Sequence, residues 1–423
     1  VTPEFIQKSG SNIAFLRHEV AGLSHEEGSD WDVAVRDCGK AGEVASGCFG
    51  APLVEVRRQY VEQRYYQWGQ LDFLPVFEFD GWEYLDQERF WSRVRKHDDG
   101  ISRPCLAHDA FIAWFCGVLH GGQFKDRYVS LIRQAISDDE EEFRQCLKWA
   151  FGSAWVDDLI SMGREGRPGD ACAEANFLRR ALKWQIVKRE GVGAAGPVIT
   201  HWSRELALHL NPPFPWIAFL GPDGSGKSTV IDGVKVAFNP LRLKIRQVHW
   251  RPTVRKPLPD EMGPPMEDPH GRPPRGMILS LAALTLLAVR WWLGYLLRLV
   301  HLRAKQNVIL SDRYYRDLLV DQRRYLYGGP VGLAKFVFRF LPQPDHTFVL
   351  LTDAGTILNR KAEVGKSELE RQLVAYRELA EDLGDQAEII DVGVPADEVV
   401  ATVVKRVQEK FQELTSKQKG GKR

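Results

Sequence analysis

The run Gly221-Pro222-Asp223-Gly224-Ser225-Gly226-Lys227-Ser228-Thr229 carries the most legible chemistry in this sequence. Gly221, Gly226, Lys227 and Ser228 fit the spacing G-x-x-x-x-G-K-[ST], in which backbone N–H groups curl around phosphate oxygens. Such a curl needs positions without a side chain, which Gly221, Gly224 and Gly226 supply. Lys227 can follow charge onto a transferred phosphoryl group, and the Ser228 hydroxyl is placed to ligate Mg²⁺. Ser225 and Thr229 belong to the same nucleotide-binding turn, so ATP and Mg²⁺ are the expected cofactors.

Such a turn works only between a strand and a helix. The apolar run WIAFL precedes it, and a helical pattern through VIDGVKVAF follows, adding the positive end of a helix. Further strands are expected at 243–250, 307–313, 346–353 and 387–392. The strand NVILSDR ends in Asp312 and Arg313, at the end of a parallel strand where such sheets build their sites. Asp312 could bind Mg²⁺ directly or through water, or orient an acceptor, and Arg313 could neutralise phosphate charge. Residues 252–276 hold eight prolines, which excludes regular structure and predicts a mobile flap. Arg360, Lys361 and Lys366 flank a break at Gly365, as a basic lid or a solvated helix face would.

In the first half, strands are expected at 12–17, 28–35, 53–58 and 70–77. The second of these puts Asp30 and Asp32 on one face, and the fourth presents Asp72 between apolar neighbours. Three carboxylates from neighbouring strands could hold two Mg²⁺ ions. This stretch, roughly residues 10–135, resembles the nucleotidyltransferase superfamily, with Asp30, Asp32 and Asp72 at the positions of its D-x-D strand and third carboxylate. The glycine turn that grips the triphosphate in that family is matched only by Gly28 and Ser29. The resemblance therefore implies either a nucleotidyl transfer site or a retained fold serving recruitment or structure. From 104 onward two apolar-faced helices flank Gly121-Gly122; His108-Asp109 and His120 lie there without a second ligand cluster in the sequence, so no metal is assigned to them.

The second half resembles the thymidylate kinase branch of P-loop nucleoside monophosphate kinases over roughly residues 214–412. GPDGSGKST, SDRYYRD, the basic helix start and the terminal strand carry the likeness. It implies that Asp223 contacts the acceptor sugar, Arg251 the acceptor phosphate, and Gln322 and Arg290 the base, with Arg360 opening the lid. Leu286 stands where the family stacks a phenylalanine on thymine, and it cannot stack. His249-Trp250-Arg251-Pro252 and the proline-rich insert replace the family's Arg-Glu-Pro-Gly turn. Phosphate chemistry is thus supported better than thymidylate specificity, and a saccharide or lipid-linked glycan acceptor stands beside a nucleotide. A nucleotide-binding regulatory protein is the alternative from another class.

The fold class that follows is α/β: an α+β nucleotidyltransferase-like domain with a helical extension (1–190), a linker (191–213) and a parallel-sheet P-loop kinase domain (214–423). At 423 residues, with 44% hydrophobic and 27% charged residues, a well-packed chain of more than one domain is expected. A formal charge of +1 gives no domain-wide basic excess, so no nucleic-acid partner is expected. The six cysteines show no C-x-x-C spacing and are expected to be reduced thiols. No secretory signal is read at the N-terminus, and the expected location is cytoplasmic, with a peripheral position at the inner membrane face left open. Residues 276–289 carry no charge, and this apolar character continues to 300; fourteen residues fall short of the ~20 that cross a bilayer. A long core helix or an interfacial helix over 277–302 is expected instead. A homodimer is a further assembly considered.

Overall fold

A computed structural model describes residues 3–16, 29–58, 60–66, 68–241, 243–250, 273–305, 307–360 and 364–420, without the side chains of 3, 29, 30, 415 and 417–420. The chain divides into two units, Val1–Leu206 and Ala207–Arg423.

The first unit opens with α1 (Pro3–Ser9), β1 (Ile13–Phe15), β2 (Ser29–Val35), α2 (Cys38–Phe49), β3 (Val54–Arg57), β4 (Glu62–Tyr66) and β5 (Gly69–Leu74). Their sheet runs β1-β2-β5-β4-β3, with β2 and β5 parallel and the other pairs antiparallel. Strand alternation decides what each face does. Trp31, Val33 and Val35 of β2, with Leu71 and Phe73 of β5, pack on Phe5 and on Ala41 and Ala45 of α2. Ala34 and Leu74 join the opposite core instead. Asp32 and Asp72, which are register partners, share that second face. Small hairpins β6 (Glu78–Phe79)/β7 (Trp82–Glu83) and β8 (Arg95–Lys96)/β9 (Ser102–Arg103), with α3 (Gln87–Ser92) between them, lead into a helical extension. It comprises α4 (Leu106–Gly121), α5 (Val129–Asp138), α6 (Glu140–Phe151), α7 (Val156–Glu165) and α8 (Ala175–Glu190). The Gly121-Gly122 break appears as the end of α4, with Gly122 in the left-handed conformation that caps a helix. The glycine-rich stretch after Glu190 is a 3-10 turn feeding α9 (Ala195–Leu210), the helix within which the division between units falls.

The second unit is built on β10 (Trp216–Leu220), α10 (Lys227–Phe238), β11 (Lys244–His249), α11 (Met277–Gly294), α12 (Val300–Ala304), β12 (Asn307–Asp312), α13 (Asp317–Val320), α14 (Val331–Phe338), β13 (His346–Leu351), α15 (Ala354–Arg360), α16 (Lys366–Leu383), β14 (Ala387–Asp391) and α17 (Ala396–Gly420). A π-helical turn, Tyr295–Leu299, joins α11 to α12. The sheet order is β11-β12-β10-β13-β14 and every pair is parallel. Such a sheet is covered on both faces, so its central strands read as unbroken apolar runs. Trp216, Ala218 and Leu220 meet α11, α13, α14 and α16. On the other side α10 packs against α17 so closely that a Cβ at Gly233 would lie 2.5 Å from a Val400 methyl. The fold is mixed α/β, and this five-stranded parallel sheet fits a P-loop kinase arrangement.

Candidate active site

The loop at 221–226 leaves the C-terminal end of the central strand and enters α10. Gly221, Gly224 and Gly226 take φ of 144°, 85° and 83°, values that L side chains rarely adopt. At Gly221 the requirement is also steric, since a Cβ there would lie 2.5 Å from the Leu350 carbonyl and 2.8 Å from Ser225 Oγ. The chain can hold its amides in this curl only with glycine. Ser228 and Thr229, in the first turn of α10, are exposed.

Lys227 folds back under the loop, its Nζ donating to the carbonyls of Gly221 (2.9 Å) and Pro222 (2.8 Å). Burial, reinforced by the nearby Arg313 charge, pulls its pKa down from 10.5 to about 8. The ammonium is thus poorly solvated and held where a phosphate oxygen would be its natural partner.

Strand β12 delivers Asp312 and Arg313 next to this loop, with Phe219 and Asp312 in register and Arg313 N–H donating to Phe219 O (3.0 Å). Arg313 has φ +67°, a costly conformation for a non-glycine residue and one that concentrates at functional sites. Its guanidinium donates to Asp223 (2.6 Å) and to Asp317 (2.6 Å). Burial opposes its charge, but Asp317 first and Asp223 with it outweigh that cost and hold its pKa well above the ordinary value. Arg324 binds the second oxygen of Asp223. Asp317 is fully buried and also accepts from Tyr376 and Tyr325, each at 2.6 Å. The Tyr376 hydroxyl oxygen also lies 3.1 Å from Gly221 O, so α16 sits directly against the glycine loop. Trp250 stacks on Tyr325 with centroids 4.8 Å apart and planes at 14°.

Asp312 Oδ2 lies 3.3 Å from His249 Nδ1, while the buried Oδ1 has no hydrogen-bond partner among the described residues. Burial alone would raise its pKa; the His249 contact and the Lys227 charge outweigh it and keep the group ionised. A buried, ionised oxygen without a donor fits Mg²⁺ or its coordinated water, so Asp312 and Ser228 suit the ion expected there.

Other expected residues are less closely gathered. Arg290 and Leu286 are exposed on α11, and Gln322 is half-buried after α13. Arg360, at the end of α15, donates to the Val392 carbonyl at 3.0 Å. Arg251, Lys361, Gly28 and most of the 252–276 flap lie outside the described residues. In the first unit Asp72 accepts from Gln63 (3.2 Å) and Gln70 (2.7 Å), beside Asp32 in register; the Asp30 side chain is outside the described set. Sequence reading did not find Arg324, Tyr325 or Tyr376 as site neighbours. Asp317 had a signal, a carboxylate four residues after Arg313 within the run SDRYYRD; Tyr376 had none.

A second ionic cluster lies in the helical extension. His108, Glu142 and Cys146 offer ligand atoms within 4.8 Å of one another. Glu142 is already the acceptor for Arg89 (2.6 and 2.9 Å), Arg93 (2.8 Å) and His108 (2.9 Å). Two guanidiniums leave no electrostatic room for a cation, and burial raises the Cys146 thiol far from its thiolate form. This is a structural clamp between α3, α4 and α6.

Comparison with known proteins adds little. No protein-family model matches the chain, and no curated protein matches it. Among solved structures, a thymidylate kinase from Candida albicans is similar over 47% of this chain and 93% of its own, at 18% identity and a TM-score of 0.35. The functional reading therefore stands on the residues described above.

Proposed function

We propose that the chain is an ATP- and Mg²⁺-dependent phosphotransferase whose second unit acts as a small-molecule kinase resembling nucleoside monophosphate kinases. The observation that carries this reading is the buried Lys227 ammonium under a positive-φ glycine loop, with Arg313 converging from β12. The loop amides and Lys227 would cradle the β- and γ-phosphates, and Ser228 and Asp312 would hold the metal, which supplies charge neutralisation on the phosphate oxygens. Arg313 would meet charge developing on the transferred group, while Asp223, gripped by Arg313 and Arg324, would position the acceptor hydroxyl. Catalysis would be mostly orientation and preorganised charge.

The acceptor reading divides. Exposure of Leu286 and Arg290 on α11 and the Trp250–Tyr325 stack beside Arg324 favour a ring other than thymine, with a saccharide or lipid-linked glycan as the second reading. For the first unit, Asp72 engaged by two amides favours recruitment or a structural role over nucleotidyl transfer. The test is ADP release with ATP and Mg²⁺ against dTMP, other nucleoside monophosphates and a sugar panel, with Lys227→Ala as control. Selective dTMP turnover supports a thymidylate kinase; turnover of sugars supports the second reading. ATP binding without acceptor-dependent ADP release across the panel replaces both with a nucleotide-binding regulator.

A further inference from the structure

Helix α11 is apolar all round, a pattern that belongs to buried helices or to helices in contact with lipid. Met277–Ala304, including the π turn and α12, is long and apolar enough by length and composition to cross a membrane, with a mean hydropathy of 1.7, yet only 28% of its most apolar window is buried. One stripe, Ser280, Leu284, Leu287, Trp291 and Gly294, is built into the second unit's core. Trp291 stacks on Trp216 of the central strand (5.6 Å, 19°), and Ser280 Oγ accepts from Gly328 N–H at 2.9 Å. A helix so fastened cannot leave the sheet to span a bilayer.

The opposite stripe, Ile278, Ala282, Leu286, Val289, Leu293 and Leu296, recurs every three or four residues and faces solvent. Helix α14, which packs against α11, adds exposed Phe336, and Phe340 follows it. Trp292, also exposed, and Tyr295 flank the stripe, as aromatic rings do at a membrane–water boundary.

Charge distribution selects the occupant. The chain as a whole has 57 cations against 56 carboxylates, yet 273–311 carries five Lys or Arg and no Asp or Glu. Residues 322–344, which contain α14, carry four and none. Arg275, Arg290, Lys305, Arg323 and Arg339 are exposed; Lys335 is too, although it meets Asp382 of α16. A second copy docked on the α11 face would bring Arg290 against its own kind, with no carboxylate on α11 or α14 to receive it. An anionic lipid surface answers both the apolar stripe and the one-sided charge.

We propose that the outer face of α11, with the end of α14, seats this protein on the surface of a bilayer containing anionic phospholipid. The test is co-sedimentation of the full chain with vesicles of equal parts phosphatidylcholine and phosphatidylglycerol, alongside phosphatidylcholine alone, and with the variant Ile278→Glu/Leu293→Glu. Both substituted side chains are exposed, so circular dichroism should be unchanged in the variant. The expected result is pelleting with the mixed vesicles, weaker pelleting with the neutral ones, and roughly tenfold less vesicle-bound protein for the variant. Wild-type protein left in the supernatant overturns the proposal, as does equal binding to neutral vesicles. A dimer that the double variant dissociates, with no vesicle binding, assigns the face to a second copy instead. Pelleting requires no turnover, so this outcome is independent of the kinase reading.

Discussion

The two halves of this chain build their candidate phosphate sites from different materials. In the second unit the cradle is main chain: three positive-φ glycines, the start of α10, and a lysine bonded to loop carbonyls. In the first unit it is side chain: Asp32 and Asp72 in register on one sheet face, with Asp72 already accepting from Gln63 and Gln70. A main-chain cradle is held open by backbone conformation, whereas a carboxylate face can be absorbed by neighbouring amides and become part of the packing. The difference favours the proposal that the phosphate chemistry lies in the second unit, and it can be tested from several directions.

The largest effect should come from the buried network behind the loop. Asp317 is fully buried and serves Arg313, Tyr325 and Tyr376 together. Asp317→Asn removes the charge that offsets the Arg313 guanidinium, and a buried ion left with one fewer partner costs about 3–5 kcal/mol. Urea unfolding followed by far-ultraviolet circular dichroism should show the second unit's transition moving to much lower denaturant. A loss under about 1 kcal/mol would mean that Asp223 alone compensates the guanidinium, and that the network is weaker than its geometry implies.

Next comes a pair of substitutions that separates the units. Lys227→Ala should lower acceptor-dependent ADP release at least ~100-fold with little change in stability, because it removes a charge aimed at the transferring group. Asp32→Asn should leave that rate unchanged. If Asp32→Asn silenced a nucleotidyl transfer reaction instead, the first unit would be the catalyst and the contrast would be inverted.

The stabilising clamp of the first unit ranks third. The hydrogen bond from Arg89 comes first, ahead of the opposing effect of burial and the help of His108, and together they bring the Glu142 pKa from 4.5 to about 2. A carboxylate depressed on folding contributes stability that is present above the unfolded pKa and lost as pH falls through the folded one. Since Arg89 and Arg93 are partly solvated, a contribution of about 2 kcal/mol is expected, discounted for screening. Glu142→Gln should therefore be less stable than wild type at pH 7 and converge on it in acid near pH 2. A constant gap across that range would point to packing rather than charge.

These particulars also show what could be read without coordinates. The glycine loop was legible because its demands are local: glycines, lysine and hydroxyl lie within nine residues, framed by an apolar strand and a helical pattern. Strands β10, β12 and β13 were legible because a sheet buried on both faces needs continuous apolar runs. Strand β4 was missed since EQRYY carries Glu62 and Arg64, whose charges are satisfied by pairing inside the fold (2.6 Å). Asp72 was legible as a carboxylate between apolar neighbours, but the amides that donate to it, from Gln63 on an adjacent strand and Gln70 two residues earlier, were not. Arg89 and Arg93 lie about fifty residues from Glu142, and no pattern in sequence links them. Tyr376 reaches Gly221 across 155 positions for the same reason. Long-range polar pairing has no period, so only the fold reveals it.

The smallest effect reads the loop lysine in its own chemistry. Free Lys227, pulled to about 8 from 10.5 by burial and by Arg313, is largely neutral at pH 9. While its folded pKa stays below the unfolded one, the unfolded chain binds more protons between those values, so the Lys227 contribution makes stability rise with pH across about 8 to 10.5. A polyphosphate placed against Nζ would oppose this, since adjacent negative charge favours the ammonium and draws its pKa upward. Nucleotide binding at pH 9 should therefore take up a substantial fraction of a proton, and binding at pH 7, where the amine is already charged, almost none. Calorimetric titration in two buffers of different ionisation enthalpy measures this directly, and Lys227→Met should abolish the difference. Uptake that persists in Lys227→Met would assign the proton to another group, and no uptake at pH 9 would show that the ammonium is charged before nucleotide arrives, removing the electrostatic contrast between this loop and the carboxylate face.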